Sequence, residues 1–302
     1  MTMRTNIRGF GRGAAGLGLA LALAAGTTLF TGAAAHAQTV TDGSIEFGGD
    51  QGDWISGGQQ HSFATTAQDQ LNVYANDDHS VVSVSVDSAL GQYWNLSFSA
   101  PQGTALAVGT YTGAVREPFA GPTQPGLEVS GDGRGCNTLT GSFTVTNVVF
   151  GPHGYVQDFD ASYEQHCEGG TAALRGEIHI ANAPAPAELG LGVGVAVQGT
   201  ASTLDGKATV HGTVTCNKAV PVTVSGQVTQ VAHRILIRGA YGATVNCTPG
   251  APVAWTAQAD PTGTTPFQKG DVEVVANASA TDPDYQTTVT DTQTVAVSLL
   301  KS

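Results

Sequence analysis

Four cysteines constrain the fold of this chain more than any other feature of its sequence. Cys136 and Cys167 are 31 positions apart, and Cys216 and Cys247 have the same separation. An even number of cysteines in an exported protein favours disulfide bonds over metal ligands or a reactive thiolate. Because each equally spaced pair falls within one candidate domain, we predict the disulfides Cys136–Cys167 and Cys216–Cys247. Each should stabilise the fold by about 3–4 kcal/mol through the entropy of the closed loop.

The first 37 residues have the composition of a secretory signal. Arg4, Arg8 and Arg12 precede an apolar run over residues 14–30, and small residues then lead to an Ala-His-Ala cleavage pattern at positions 35–37. The run is broken by glycine and is shorter than the ~20 residues that a membrane-spanning helix needs. We expect residues 1–37 to be a cleaved signal peptide, and the mature chain to be secreted, extracellular and without a membrane anchor.

Acidic residues outnumber basic ones. The chain has 24 Asp and Glu against 12 Lys and Arg, for a net charge of −12 at pH 7. Cleavage after residue 37 would remove three arginines and no acid, which moves the net charge to about −15. Such a surface repels nucleic-acid phosphates and anionic membranes, so no nucleic-acid partner is expected.

The rest of the chain predicts strands rather than helices. Val, Thr, Ser and Gly are abundant, and no apolar stripe of helical period extends beyond a turn or two. β-Branched or alternating segments recur between turn residues, which indicates an all-β fold. The predicted strands cover residues 61–66, 71–75, 80–86, 93–99, 104–115, 142–149, 155–165, 173–180, 191–198, 207–216, 220–230, 234–246, 253–259, 271–278 and 286–299.

A proline-containing segment divides these strands into two groups. Residues 182–188 include Asn-Ala-Pro-Ala-Pro-Ala, which cannot continue a central strand and favours an extended linker. We therefore predict two tandem β-sandwich domains, a jelly-roll-like or simple sandwich over residues 38–181 and an immunoglobulin-like sandwich over residues 189–302. Trp255 follows Cys247 instead of lying between the cysteines, which departs from the true immunoglobulin order.

Alternation assigns the two faces of the strand that ends at Cys167. Phe159 and Cys167 belong to the inward face, whose other members are Ala161 and Tyr163. Inward residues must oppose inward residues, so we predict that Val145 pairs with Phe159 and that Cys136 lies almost opposite Cys167. The outward face is polar and carries Asp158, Asp160, Ser162, Glu164 and His166.

No motif for catalysis or metal binding is present. His166 adjoins Cys167, but a disulfide removes the thiolate, and no zinc-ligand spacing occurs. The carboxylates near residues 50, 78 and 282 lack the alternating calcium loop with its distal Glu. The glycine-rich segment 131–135 lacks the Lys-Ser/Thr of a phosphate-binding loop, and no G-x-S-x-G occurs. We assign no catalytic residue and expect no metal and no cofactor.

Binding is the less demanding interpretation. Ser and Thr hydroxyls beside carboxylates hydrogen-bond the hydroxyls of sugars, and exposed aromatic rings provide a stacking platform. Trp94 alternates with Leu96 and Phe98 along one strand, so it shares their face and is predicted to be in the core. Trp54 and Tyr93 are predicted to be exposed. The candidate binding residues are Trp54, Tyr93, Asp132, Arg134, Asp160, Glu164 and His166.

Several segments of the sequence resemble those of known secreted proteins. GDWISGGQ, SGDGRGCNTLTGSFTV and FDASYEQHCEGGTAALRGEI together resemble secreted bacterial proteins, many of them actinobacterial, with a paired GRGCN and QHCEG signature. The second half, with GTVTCN and VNCT, is similar to another secreted actinobacterial domain with an immunoglobulin-like pattern. The resemblance implies export, disulfides and β-architecture, and it carries over no catalytic residue.

These observations predict a secreted, non-catalytic protein that binds a glycan, a cell-wall polymer or an extracellular protein. One alternative is a secreted hydrolase with its site in the first domain, where a deep cleft would gather Asp132, Arg134, Glu164 and His166. The other is an inert structural spacer, which would have no ligand at all.

Overall fold

The structure is a computed structural model that describes residues 37–302. The predicted signal peptide, residues 1–37, lies outside the described residues except for Ala37. Residues 37–302 are all-β: they form two sheets and two short 3-10 turns, with no α-helix. In this part of the chain no helix is long and apolar enough to cross a membrane.

The first sheet has eleven strands, in the order β1-β4-β5-β6-β8-β7-β9-β10-β11-β2-β3. Neighbouring strands are antiparallel except β7 and β8, which pair in parallel over only two residues. The strands are β1 Gln38–Thr39, β2 Asp42–Gly49, β3 Gln60–Ala64, β4 Gln70–Ala75, β5 Val81–Asp87, β6 Tyr93–Ser99, β7 Gly109–Arg116, β8 Gly126–Gly131, β9 Leu139–Phe150, β10 Val156–Cys167 and β11 Leu174–Ala181.

This sheet folds over so that its two halves face each other. Phe98 of β6 lies against Phe159 of β10, with ring centroids 5.4 Å apart, and Trp94 of β6 contacts Phe47 of β2 at 4.7 Å. Trp94 is fully buried, as its parity predicts. The apolar alternate residues of both halves form one core, and the polar alternate residues of β10 therefore face outward.

The β9–β10 hairpin has the predicted faces but not the predicted register. Val145 pairs with Ala161, not with Phe159, which instead pairs with Val148. From Ala161 to Cys167 the pairing differs from the predicted one by two residues. Irregularities at Val156/Asp158 and at Asp160/Ala161 each shift the pairing by one residue, in opposite directions, and a 3-10 turn at Pro152–Gly154 closes the hairpin. The shift leaves inward residues opposite inward residues, so the core is unaffected.

Both predicted disulfides are present. Cys136–Cys167 joins the loop before β9 to the end of β10, with the Cα atoms 5.1 Å apart, and closes the open end of the hairpin. Cys216–Cys247 lies in the second sheet, where the Cα atoms are 6.2 Å apart. No cysteine of residues 37–302 is free.

The second sheet has eight strands, in the order β12-β14-β13-β19-β18-β15-β16, with β17 also paired to β14. Its own core includes Tyr241 and Trp255, whose rings stack with centroids 5.8 Å apart. The strands are β12 Leu191–Val195, β13 Gln198–Ala201, β14 Ala208–Cys216, β15 Val220–Ala232, β16 Ile235–Cys247, β17 Val253–Ala259, β18 Gly270–Thr281 and β19 Thr288–Lys301.

The segment between the sheets contains no strand from residue 182 to residue 190. It is hydrogen-bonded to both sides: the Tyr155 hydroxyl donates to the Ala183 carbonyl at 2.8 Å, and the Tyr285 hydroxyl donates to the Pro186 carbonyl. The Leu189 N–H donates to the Asp282 carboxylate at 2.5 Å. The segment therefore contains no strand and is held to its surroundings by hydrogen bonds.

Gln165 is the one polar residue on the inward face of β10. It is fully buried, and its side-chain amide accepts from the Val129 N–H at 2.9 Å and donates to the Val129 carbonyl at 3.0 Å. Val129 lies on β8, beyond the two residues at which β7 pairs with that strand. The Gln165 side chain thus provides the hydrogen-bond partners for the Val129 N–H and carbonyl that β7 does not provide.

We predict that Gln165→Leu, which keeps the volume but leaves both Val129 groups unpaired, lowers the free energy of unfolding by about 2–6 kcal/mol. Urea denaturation of the mature chain measures this. Gln157→Ala, a change to a half-buried glutamine of the same strand, should cost less than about 0.5 kcal/mol. Equal effects of the two changes would show that the Val129 contact is not what stabilises this half of the sheet.

Candidate functional site

A polar groove crosses the outer face of β9, β10, β11, β2 and β3. It exists because these strands alternate, so that their apolar residues fill the core and their polar residues share the other face. The wider part has a volume of about 610 Å³. The residues whose side chains belong to this face are Glu46, Gln60, Ser142, Thr144, Ser162, Glu164, Arg175 and Glu177.

An ion-pair network occupies one end of the groove. The Arg175 guanidinium donates from Nε to Glu164 Oε2 at 2.6 Å and from Nη1 to Asp50 Oδ1 at 3.1 Å. His166 Nε2 lies 3.2 Å from the other Glu164 oxygen. One arginine thus joins carboxylates from β10 and from the loop after β2, and both acids stay accessible to solvent.

The pKa values of both carboxyl groups, Glu164 and Asp50, are lowered. The hydrogen bond with His166, followed by that from Arg175, holds the pKa of Glu164 below its ordinary value. For Asp50 the main cause of a lowered pKa is the hydrogen bond from the Ala173 N–H, with Arg175 adding to it. Both acids are therefore anionic acceptors at neutral pH.

A second part of the groove, of about 330 Å³, continues along the same face. Its central pair is Asp160 on β10 and His179 on β11, whose Oδ1 and Nδ1 atoms are in hydrogen-bond contact. Ser44 of β2 lies directly opposite His179 in the sheet. Ser162, Glu46 and Glu177 line both parts, so the groove is continuous.

Gly48 leaves the room that the groove needs beside Gln60. A Cβ atom at this position would come within 2.1 Å of the Gln60 side-chain nitrogen, so a larger residue would displace that side chain. Gly48 pairs with Arg175 on one side and with Gln60 on the other. The glycine lets two long polar side chains lie close together over β2.

The groove is lined by only two of the candidate binding residues, Glu164 in the wider part and Asp160 in the second part. His166 does not line it and contacts it through Glu164. Asp132 instead accepts from the Gln92 amide at 3.3 Å, and the Arg134 guanidinium lies over the Trp94 ring at 5.7 Å. Asp132 and Arg134 are thus engaged on the β6 side of the sheet.

The two aromatic candidates do not line the groove either. Trp54 is 60% exposed and lies in the loop between β2 and β3. Tyr93 is half-exposed on β6, and its hydroxyl donates to Asn95 at 3.0 Å. Both rings are accessible as predicted, but they do not form one platform with the hydroxyls and carboxylates of β10.

Sequence reasoning missed Asp50, Arg175 and His179 as members of the site. Arg175 and His179 alternate with Gly176 and Ile178 on a predicted strand, so their shared outward face could have been read from parity. Asp50 follows β2, a strand that was not predicted. Its approach to Arg175 depends on the pairing of β2 with β11, which no local pattern reveals.

The arrangement is suited to hydrogen bonding. Within residues 37–302, no three or more His, Cys, Asp or Glu side chains are placed to hold a metal ion. The groove offers ionised carboxylates, hydroxyls and one guanidinium, which together accept from and donate to polar ligand groups. No protein-family model matches this chain, and no curated protein matches it either.

We predict that the Glu164 carboxyl titrates below the ordinary glutamate value of about 4.3, and that Arg175→Met raises the midpoint towards it. The carboxyl ¹³C shift followed against pH by NMR measures both. The matched control is Arg116→Met, which removes an arginine paired with Glu128 at 3.1 Å outside the groove. If both variants leave the Glu164 midpoint where it is in the unmodified protein, the network does not control this carboxylate.

Proposed function

We propose that the protein is a secreted, non-catalytic binding protein whose groove on β9, β10, β11, β2 and β3 holds a polyhydroxylated polymer, such as a glycan or a cell-wall polymer. The observation that carries the proposal is the groove lining itself. Hydroxyls, carboxylates and a guanidinium run across five strands, in a space large enough for a sugar unit and open to a longer chain.

The polarity of the groove favours a hydroxyl-rich ligand over an apolar one. Small-molecule pockets are mostly lined by hydrophobic and aromatic side chains. Here Glu164 and Asp50 are held ionised, and Arg175 presents further N–H donors. Vicinal hydroxyls of a sugar can donate to such carboxylates and accept from such a guanidinium at the same time.

The arrangement does not resemble the deep catalytic cleft that the hydrolase alternative requires. That cleft would gather Asp132 and Arg134 with Glu164 and His166, whereas Arg134 stacks on Trp94 and Asp132 bonds Gln92. The groove is an open face of the sheet, which supports binding in preference to general acid or base chemistry.

We further infer that the two sheets represent tandem β-sandwich domains, the second immunoglobulin-like, behind a cleaved signal peptide. Two separate cores, two disulfides and the strand-free segment at residues 182–190 support this division. Disulfides are typical of oxidising compartments, which supports an extracellular location. The resemblance to secreted actinobacterial proteins is consistent with both inferences.

The test is binding of the mature chain to an array of bacterial wall polymers and plant polysaccharides. We expect binding to at least one polymer, and Ser162→Tyr, which places a ring where the two parts of the groove meet, should weaken it by about tenfold or more. Ser85→Tyr is the matched control, since Ser85 lies on the outer face of β5 in the other half of the sheet. An array without any signal would contradict the proposal and leave the inert spacer.

One observation favours hydrolysis as a second candidate. Asp160, His179 and Ser44 lie side by side on β10, β11 and β2, the order of an acid, a base and a nucleophile. Among the described contacts, however, no hydrogen bond joins Ser44 to His179, whose side chain is half-exposed. A hydrolase should release p-nitrophenol from p-nitrophenyl acetate and lose that activity in Ser44→Ala. For a binding protein, the unmodified chain and Ser44→Ala should release p-nitrophenol at the same rate.

A further inference from the structure

The turn between β15 and β16 projects beyond the second sheet. Ala232 pairs with Ile235, so the loop consists of His233 and Arg234 alone. The neighbouring strand β18 pairs with β15 only as far as Thr229. We define residues 231–236 as the hairpin tip. Each side of the tip has two strand residues and one loop residue, which at about 3.4 Å per residue extend roughly 10 Å.

Apolar side chains are exposed on both faces of the hairpin tip. Val231 and Leu236 are direct cross-strand partners and share one face, where they are 70% and 52% exposed. Ile235 lies on the other face and is 48% exposed. Ile235 alternates with Ile237 and so lies on the core side of β16, but among the residues of this strand the core ends at Ile237. A protein surface docked against one face would leave the other face in water.

The apex carries cationic and titratable side chains in an unusual backbone conformation. His233 and Arg234 have φ values of 52° and 67°, in the left-handed region where a two-residue hairpin loop normally has Asn or Gly. Arg238 lies lower on β16, where it pairs with Thr229 in the same row as Glu273. The carboxylates of the adjoining strand, Asp271 and Glu273, lie at the base of the hairpin, where Glu273 pairs with Thr229. Positive charge is therefore concentrated at the apex.

We propose that the hairpin tip inserts into the interfacial region of an anionic phospholipid bilayer. A bilayer surrounds an inserted hairpin, so it would cover Val231, Leu236 and Ile235 together. Interfacial amphipathic helices bury their apolar face about 5–10 Å into the boundary between headgroups and acyl chains, and the hairpin tip is long enough to reach that depth. The flexible Arg234 side chain reaches back to lipid phosphates, and its charge selects anionic headgroups.

The net negative charge of the chain does not oppose this contact at physiological salt. The Debye length is then about 8 Å, so carboxylates elsewhere on the protein are screened from a membrane that only the apex touches. The expectation that anionic membranes are repelled follows from net charge alone. It does not apply to a projecting segment whose own charge is positive. The proposal is independent of the groove in the first sheet.

Flotation of the mature chain with vesicles tests the proposal. Vesicles of phosphatidylcholine containing about one third phosphatidylglycerol should carry the protein, and pure phosphatidylcholine vesicles should carry much less. The double change Val231→Ser with Leu236→Ser should lower partitioning about tenfold, and Arg234→Ser should lower it on anionic vesicles only. These side chains are exposed, so folding is preserved, which circular dichroism verifies.

The matched control removes the same two residue types elsewhere in the second half of the chain. Val197 and Leu204 are 66% and 98% exposed, and Val197→Ser with Leu204→Ser should leave partitioning unchanged. Equal loss in both double variants, or no flotation of the unmodified chain, overturns the proposal. It is also overturned if light scattering shows a dimer that the tip variant abolishes while vesicles bind neither protein, because the occupant would then be a second copy.

Discussion

The side-chain amide of Gln165 hydrogen-bonds both backbone groups of Val129 and so joins the two facing halves of the first sheet where β7 does not pair with β8. Because this contact joins β10 to β8 through the core, it fixes the position of β10 along its length relative to β8. The disulfide between Cys136 and Cys167 closes the same end of the β9–β10 hairpin, two residues further on. At this position of β10, Ser162 lies on the outer face between Thr144 of β9 and Glu177 of β11. Glu164 lies between Ser142 of β9 and Arg175 of β11.

Period-two alternation predicted the two faces of β10, and the equal spacing of the cysteines predicted the disulfides, because both are local features of the sequence. The register of the hairpin was wrong by two residues at Val145, a slip that alternation cannot detect because it keeps inward residues opposite inward residues. Strands β2 and β8 were missed, since glycines at both ends of β2 and around β8 suggest turns rather than strands. Because β2 was not predicted, the site was not predicted either, since Asp50 approaches Arg175 only through the pairing of β2 with β11. Gln165 was also passed over, although its position between Tyr163 and Cys167 gives it the parity of the core.

The separation of the aromatic side chains from the groove bears on what the groove can bind. Trp54 and Tyr93 were predicted as a stacking platform, and neither lines it. Binding there must depend on hydrogen bonds, each of which exchanges with water and contributes only about 0.5–1.5 kcal/mol net. A single sugar would therefore be held weakly. A polymer that occupies both parts of the groove, or several protein copies along one chain, gains from the high local concentration of neighbouring units.

Charge is distributed unevenly over the protein, and this matters more for its contacts than the total of −12. In the groove, Arg175 forms ion pairs with both Glu164 and Asp50, so one positive charge faces two negative charges and the site stays acidic overall. At the apex of the β15–β16 hairpin, Arg234 has no salt-bridge partner among the ion pairs of residues 37–302 and stands beside exposed apolar side chains. The first environment favours neutral ligands that donate hydrogen bonds, whereas the second favours anionic, partly apolar ones. Since the two lie on different sheets with separate cores, a substitution in either one should leave the other intact.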